Sequence, residues 1–541
     1  MKRLVIVGGG SSGWTAAAYL NGALNDKGNN PRVEISLIES PDIPRISVGE
    51  ATVLSIRHTL AVIGIDEMEL LKATDGSFKQ AIKYANWVKN DNSHYYHPFN
   101  RLAPKPMDHL AQQWLASDRS ISFVDSCSAQ AKICELGLAP KSLDGGLTPG
   151  GQFSAAFHMN AQKFADYLRD FSVARGVQHI QANVEGVIMQ DNGHINAVQT
   201  DRAGDREADL FIDCTGFRAM LIEQQMGVGW EDFSQYLLCN RAIAMHVPYD
   251  RFYPGMVRPY TTATALSNGW VWDIPMLHQR SIGYVHASDY ITEEQAEQEL
   301  RAYQGPGTDD LPARTIHFKV GRRHQHWKGN CIALGLAGGF IEPLESTGLY
   351  LSDLGAVMLA EHFPWHEDHM ADMAFRYNRI LSNRYYEVLD FINMHYCLTQ
   401  RNDTAFWREV QKDQRINPRL KAKLDFWTMK PPSASDFEDQ LMPGFSQAHF
   451  PAGKTGGDTR PAVDDAGIWN HHNYMFVMYS MGFENRSKVF RYNNPTAATL
   501  HPVVRQRLQM AQNRFPSHAD WLKAKLDMPD YPPAQPPAGW T

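Results

Sequence analysis

The chain has 541 residues, about three times a typical single-domain length, so more than one structural module is expected. Its 43% hydrophobic and 21% charged residues are an ordinary globular mix, which excludes a disordered chain. Fifty-two basic residues against 59 acidic ones give a net charge of −7 with no long basic run, which argues against nucleic acid or an anionic membrane as the main partner.

In chain order, residues 4–7 read as a short buried strand, and the Ala-rich stretch 14–24 after a run of glycines reads as a helix. A second strand over 33–38 ends at Glu39, which completes a βαβ unit. The opening MKRLVIVGGG is too short for a signal-peptide core, and no other run approaches the roughly 20 apolar residues of a membrane span. Between about 76 and 160 the pattern is irregular and dense in His, Trp, Phe and Pro, as expected of an insertion that supplies pocket walls. Hairpin alternation returns at 176–213, with a turn at Asp191-Asn192-Gly193. A strand-rich stretch covers 241–290, and an apolar, glycine-containing run over 331–349 leads into a helical region at 350–400. From about 402 the chain is mostly helical or irregular, closing in a proline-rich extended tail at 529–540. The expected division is a first module over 1–355, opening with the βαβ unit and carrying the insertion at about 76–160, and a mostly helical region over 356–541.

Six cysteines (Cys127, Cys134, Cys214, Cys239, Cys331, Cys397) are scattered without a CxxC pair. That suggests neither a disulfide framework nor a zinc site, and a reducing cytoplasm fits best. The acidic run Glu367-Asp368-His369 reads as a solvated face without metal-ligand spacing, so no metal is expected. His395 reads as a hydrogen-bonded structural histidine on a helix.

Gly8-x-Gly10-x-x-Gly13 falls between the first strand and the first helix. Glycines there permit a tight turn and let the backbone approach a pyrophosphate at a helix N-terminus, while Glu39 can accept hydrogen bonds from ribose hydroxyls. A bare GxGxxG is weak evidence, but here the strand, turn, helix, strand and acid are all in place. Two later segments, 209–218 with Asp213-Cys214-Thr215-Gly216 and 331–349, resemble cofactor-contact segments of FAD-dependent oxidoreductases of the aromatic-hydroxylase type. An NAD dehydrogenase would not need them. The expected fold is therefore α/β: a Rossmann-type βαβ plus β-sheet FAD module with a mostly helical C-terminal substrate domain.

Gly269-Trp270-Val271-Trp272-Asp273-Ile274-Pro275 puts two tryptophans on one side of a strand. An ordinary WxW is core packing, but with its flanking Gly and Ile-Pro this segment matches the GWxWxIP signature of flavin-dependent halogenases. Ser77-Phe78-Lys79, Pro343-Leu344-Glu345-Ser346-Thr347-Gly348 and Gly49-Glu50-Ala51-Thr52 match further motifs of that family, in the same order. The chain is identified as a member of the tryptophan-halogenase family, with motif-level resemblance over residues 1 to about 400 and a weaker one beyond.

The resemblance implies a set of roles. Lys79 and Glu345 would be catalytic, and Thr347 and Gly348 would hold the halide. Trp270 and Trp272 would form a wall that keeps the aromatic substrate from the flavin and so from direct hydroxylation. The cofactor-binding set would comprise Gly8, Gly10, Ser12, Gly13, Thr15, Ala16, Glu39, Val48, Ala51, Val184, Leu336 and Leu349. Reduced FAD, oxygen and chloride or bromide would give hypohalous acid, which passes through an internal tunnel to Lys79 and Glu345. A lysine can hydrogen-bond that acid as an ammonium or form a haloamine as a neutral amine, the form that burial favours. A carboxylate can stabilise the cationic ring intermediate.

His97 and Phe99 resemble the pair that sandwiches an indole in the family, and Trp469 and Asn473 keep the spacing of a later tryptophan–asparagine pair. Just upstream the match weakens. Tryptophan-specific members carry a tyrosine pair and a glutamate there, whereas this chain reads Gly456-Gly457-Asp458-Thr459-Arg460 and Asp464-Asp465. Losing partners for a zwitterion costs far more than losing a methylene contact, so an indole-like or other electron-rich aromatic is expected in place of free tryptophan. No second Rossmann fingerprint exists for NADPH, which implies a separate NAD(P)H-dependent flavin reductase as partner. A homodimer is compatible with the sequence. The competing readings are an aromatic hydroxylase, a halogenase of free tryptophan, and a flavin-binding sensor without catalysis.

Overall fold

The computed structural model describes residues 1–25, 32–45, 48–100, 102, 104–144, 153–252, 256–440, 468–483 and 497–531. The chain packs into two compact units of three segments each: Met1–Gly76, Ala156–Ser234 and His317–Tyr385 in the first, Ser77–Ala155, Gln235–Ile316 and Tyr386–Thr541 in the second.

The first unit is built on a six-stranded sheet ordered Trp327–Lys328, Cys331–Ala333, Leu210–Asp213, Arg3–Val7, Glu34–Glu39 and Gln178–Gln181. All neighbours pair in parallel except the first two. Parallel strands are buried on both faces, which is why residues 4–7 are apolar without alternation; Leu4, Val5, Ile6 and Val7 are all buried. The Ala-rich helix Ser11–Leu24 begins directly after the glycine turn and packs against helices Ala161–Val173 and Gly348–Glu361. Its end is tied to the second strand by Asn25, whose side chain donates to the Val33 carbonyl and accepts from the Val33 amide, each at 2.9 Å. Val184–Met189 and Ile195–Thr200 form the expected hairpin, with Gly193 at φ +82° in its turn. A core of Val5, Val7, Ile38, Phe211, Ile222 and Cys331, among others, fills this unit.

The second unit holds a seven-stranded sheet ordered Ala313–His317, Arg241–Pro248, Gln279–His286, Gly269–Pro275, Thr261–Ala265, Ala81–Ala85 and His94–Pro98. Ile243, Val271, Ile282 and Tyr284 pack with Ala296 and Leu300 of helix Glu293–Gln304, which starts in a Thr292–Gln295 capping box. Asp273 is fully buried and engages Arg258 at 2.6 Å, Arg280 at 3.3 Å and the Tyr303 hydroxyl at 3.1 Å. Such a group is costly to disturb, because removing the carboxylate takes the shared anionic partner from two guanidiniums, that of Arg280 fully buried.

The stretch around 76–160 is more regular than its composition predicts. It contains the strands Ser77–Lys79, Ala81–Ala85 and His94–Pro98 and the helices Pro104–Leu115, Phe123–Cys127 and Gln130–Glu135. Its strands are buried on nearly every residue, so they show none of the alternation that marks a half-exposed strand. Residues 77–155 belong to the second unit, as does the sheet over 241–286.

Candidate active site

In the first unit, the glycine turn is shaped by close backbone approach. Gly8 has φ +117°, and a Cβ there would collide with the Cys214 carbonyl; one on Gly13 would collide with the Gly8 carbonyl. Gly10 differs: among the described residues a Cβ built on it meets nothing within 4 Å. It is the N-cap of helix Ser11–Leu24, which has no side-chain cap and no acid in its first turn. Its first amides are therefore left to an anion at the helix start. These features fit a dinucleotide pyrophosphate.

Around this turn, Ser12 lies beside Gly335, which takes φ +59° and would push a Cβ into the Ser12 hydroxyl. Thr15 and Ala16 are buried on the helix, and among the described residues the Thr15 hydroxyl has no hydrogen-bond partner. Val48 accepts from the Ala161 amide at 3.2 Å, and Ala51 pairs with His158. Val184 begins its hairpin strand, Leu336 lies in the turn Gly335–Ala337, and Leu349 is buried at the start of helix Gly348–Glu361. Glu39 is already engaged: Arg45 donates to one of its oxygens, and His179 lies 3.0 Å from the other. Arg45 also reaches Asp166 at 2.7 Å. Sequence reasoning found Glu39 but missed these partners, which fix the carboxylate beneath Gly9. Asp213 is structural: its oxygens accept from the Thr215 amide and hydroxyl and from the Leu221 and Ile222 amides at 2.7–3.0 Å, which shapes the chain after Leu210–Asp213.

The Pro343–Gly348 segment is a helix entrance. Pro343–Glu345 form a single 3₁₀ turn, Ser346 takes φ +61°, and Thr347 caps helix Gly348–Glu361. Glu345 and Thr347 are buried and the first turn carries no acid; among the described residues the Thr347 hydroxyl has no hydrogen-bond partner and a Cβ on Gly348 would meet nothing within 4 Å. This is anion-binding geometry. One turn further along, buried Asp353 receives a hydrogen bond from Thr59. Burial, with the Glu50 charge acting in the same direction, pushes its carboxyl up to about 8. Glu50, although only partly covered, is pushed up to about 7 by desolvation. Both shifts favour the neutral carboxyl, which lowers the negative charge behind the helix entrance.

In the second unit, Lys79 ends the strand Ser77–Lys79 and is completely buried, with Nζ 5.3 Å from the centre of the half-buried Phe99 ring. Its strand is held by the Ser77 hydroxyl donating to the Pro275 carbonyl and by the Phe78 amide donating to His518 at 3.3 Å. Ser77 is thereby tied to the last residue of the GWVWDIP strand. That strand is buried throughout; Trp270 lies opposite Val285, and Trp272 opposite Gly283. A Cβ on Gly283 would enter the Trp272 ring, so this glycine makes room for the indole.

His97 and Asn473 meet, with the Asn473 amide nitrogen 2.9 Å from His97 Nε2. Asn473 also accepts from the Asn470 amide at 3.1 Å in the capping box of helix His471–Ser480. Trp469 stacks on Phe391, centroids 4.3 Å apart at 14°, and its amide donates to Glu387 at 3.0 Å. Phe391 also touches His97 at 5.5 Å. One ring of helix Met370–Cys397 therefore backs both proposed substrate walls. Phe391 escaped sequence reasoning because nothing local separates it from an ordinary core phenylalanine. His395 is structural as expected, with Nδ1 2.8 Å from the Phe391 carbonyl one turn back. Gly456–Arg460 and Asp464-Asp465 lie outside the described residues.

A family model described as tryptophan halogenase matches residues 3–493. The chain is 35% identical over 457 residues to tryptophan 6-halogenase SttH of Streptomyces toxytricini, covering 80% of this chain and 85% of that protein. It is 33% identical over 506 residues to tryptophan 7-halogenase RebH of Lentzea aerocolonigenes, covering 89% and 90%. Among solved structures, Tar14, a tryptophan C-6 flavin-dependent halogenase (chlorinase) from taromycin biosynthesis, superposes with a TM-score of 0.84 at 31% identity, over 97% of this chain and all of that one. The glycine cradle, the Thr347–Gly348 helix entrance and the buried lysine thus occur in a chain that belongs to the tryptophan halogenase family.

Proposed function

We propose that this protein is a flavin-dependent halogenase that uses chloride or bromide to halogenate an indole-like, electron-rich aromatic. The carrying observation is Lys79: an amine completely buried beside the Phe99 ring, where it can present halogen to an aromatic away from water. When bound, reduced FAD supplies with oxygen the oxidising equivalents that turn halide into hypohalous acid. Gly8, Gly10, Ser12, Gly13, Thr15, Ala16, Glu39, Val48, Ala51, Val184, Leu336 and Leu349 would hold it.

The Thr347 and Gly348 amides at the helix entrance bind the halide, helped by the absence of an acid from the helix's first turn. Trp270 and Trp272 exclude the aromatic from the flavin, and the burial of both rings in one strand supports a rigid barrier. Lys79 either hydrogen-bonds hypohalous acid or forms a haloamine with release of water. Glu345 stabilises the cationic ring intermediate before its proton leaves. His97, Phe99 and Trp469 stack on the substrate, with Asn473 orienting His97.

The hydroxylase reading leaves Lys79, the GWVWDIP strand and the Thr347–Gly348 entrance without a purpose. Reduced flavin comes from a separate NAD(P)H-dependent reductase, a reading supported by the lack of a second dinucleotide fingerprint. The proposed compartment is the cytoplasm; among the described residues no helix is long and apolar enough to cross a membrane.

Indole should exceed tryptophan in kcat/KM, by about 10-fold or more if the zwitterion finds no partners. Reductase-coupled bromination of both compounds, followed by chromatography, measures the ratio. A preference for tryptophan would refute the reading drawn from Gly457 and Asp458.

A further inference from the structure

Helices Pro104–Leu115 and His471–Ser480 bring together three side chains with no role in the reading above: Asp108, His471 and His472. Nε2 of each imidazole lies 2.8 Å from the same oxygen, Asp108 Oδ1, and the two rings are 3.8 Å apart. Both histidine side chains are buried, that of His472 completely, whereas the Asp108 side chain is 48% exposed. The cluster therefore has a rigid half on one helix start and an accessible half on the other helix. Spacing along the chain could not reveal it, because the aspartate and the first histidine are 363 residues apart.

Two imidazoles and a carboxylate are a borderline donor set, suited to Zn²⁺, Co²⁺ or Ni²⁺ more than to Mg²⁺ or Ca²⁺. All three donor atoms lie within 4.8 Å of one another. A tetrahedral ion about 2.0–2.1 Å from each would set donors about 3.3 Å apart, against the present 2.8 Å between Asp108 and each imidazole. Asp108, on the exposed side, can supply that small movement, and a fourth position stays open to water. We propose that Asp108, His471 and His472 bind one borderline divalent cation, of the zinc class, that clamps these two helices together. The clamp would adjoin the substrate wall, since Asn473, the next residue along, holds His97 at 2.9 Å. The cation site itself does not depend on the halogenase reading.

The test uses the full-length protein, stripped with a chelator and titrated with Zn²⁺ by calorimetry, with X-ray absorption on the loaded sample. Saturable binding of one equivalent, a first shell of nitrogen and oxygen with imidazole scattering, and a higher Tm are expected. Asp108→Asn should bind more than about 10-fold more weakly while keeping the metal-free Tm of the parent. His471→Ala serves as the second variant if Asp108→Asn does not fold, with the same loss expected. Absence of saturable binding, sulfur in the first shell, or undiminished binding by the folded variant would overturn the proposal.

Discussion

Lys79→Met should abolish halogenated product while reductase-supplied flavin continues to be reoxidised by oxygen. Methionine is chosen because Lys79 is completely buried, so alanine would also leave a cavity and mix a packing loss with the chemical one. Methionine keeps most of the stem and removes only the amine. If that amine positions or carries the halogen, the loss is about 100-fold or more, the usual worth of a positioned proton-transfer or nucleophilic group. Product by mass spectrometry and oxygen uptake, measured on the same sample, separate the two half-reactions. Retained halogenation would remove Lys79 from the mechanism; loss of oxygen uptake as well would point to a flavin-site defect.

Gly10→Ala and Gly13→Ala should fail in opposite ways. At Gly10 the added methyl meets no atom of the described residues within 4 Å, and φ −77°, ψ −176° suits any residue. The variant should fold with a Tm close to the parent's. The methyl nonetheless points into the space that the pyrophosphate would need, so FAD affinity should fall by about 10-fold or more, at least ~1.4 kcal/mol. At Gly13 the methyl strikes the Gly8 carbonyl, which is held in turn against Cys214. Relief requires the helix to shift from the sheet, at a cost of about 1–3 kcal/mol in stability before any cofactor is added. Flavin-fluorescence titration and thermal melts on both variants check the pair. Unchanged FAD affinity in Gly10→Ala would mean that the pyrophosphate does not lie at this turn.

The βαβ entrance was legible because its signals are local: an unbroken apolar strand, glycines at fixed offsets and an Ala-rich helix. The same holds for the hairpin at Asp191–Gly193 and for the strand that carries Trp270 and Trp272. The regular structure around 76–160 was hidden because its strands are buried on both sides, which removes the period of two on which a strand is recognised. Site residues were found where a motif marks them. Their supports were not, because those arise from contacts remote in sequence: Arg45 and His179 on Glu39, Phe391 behind Trp469 and His97, Asn473 on His97. Asp108 with His471 and His472 is the extreme case, since no helical or strand period links them.

The most direct test of the central claim is the identity of the product formed with reductase, FAD, NADH, oxygen, indole and bromide. A mass shift for one bromine replacing one hydrogen, with the paired isotope pattern of bromine and no such product when bromide is omitted, is the predicted result. Hydroxylated indole alone, unchanged by bromide, would contradict it.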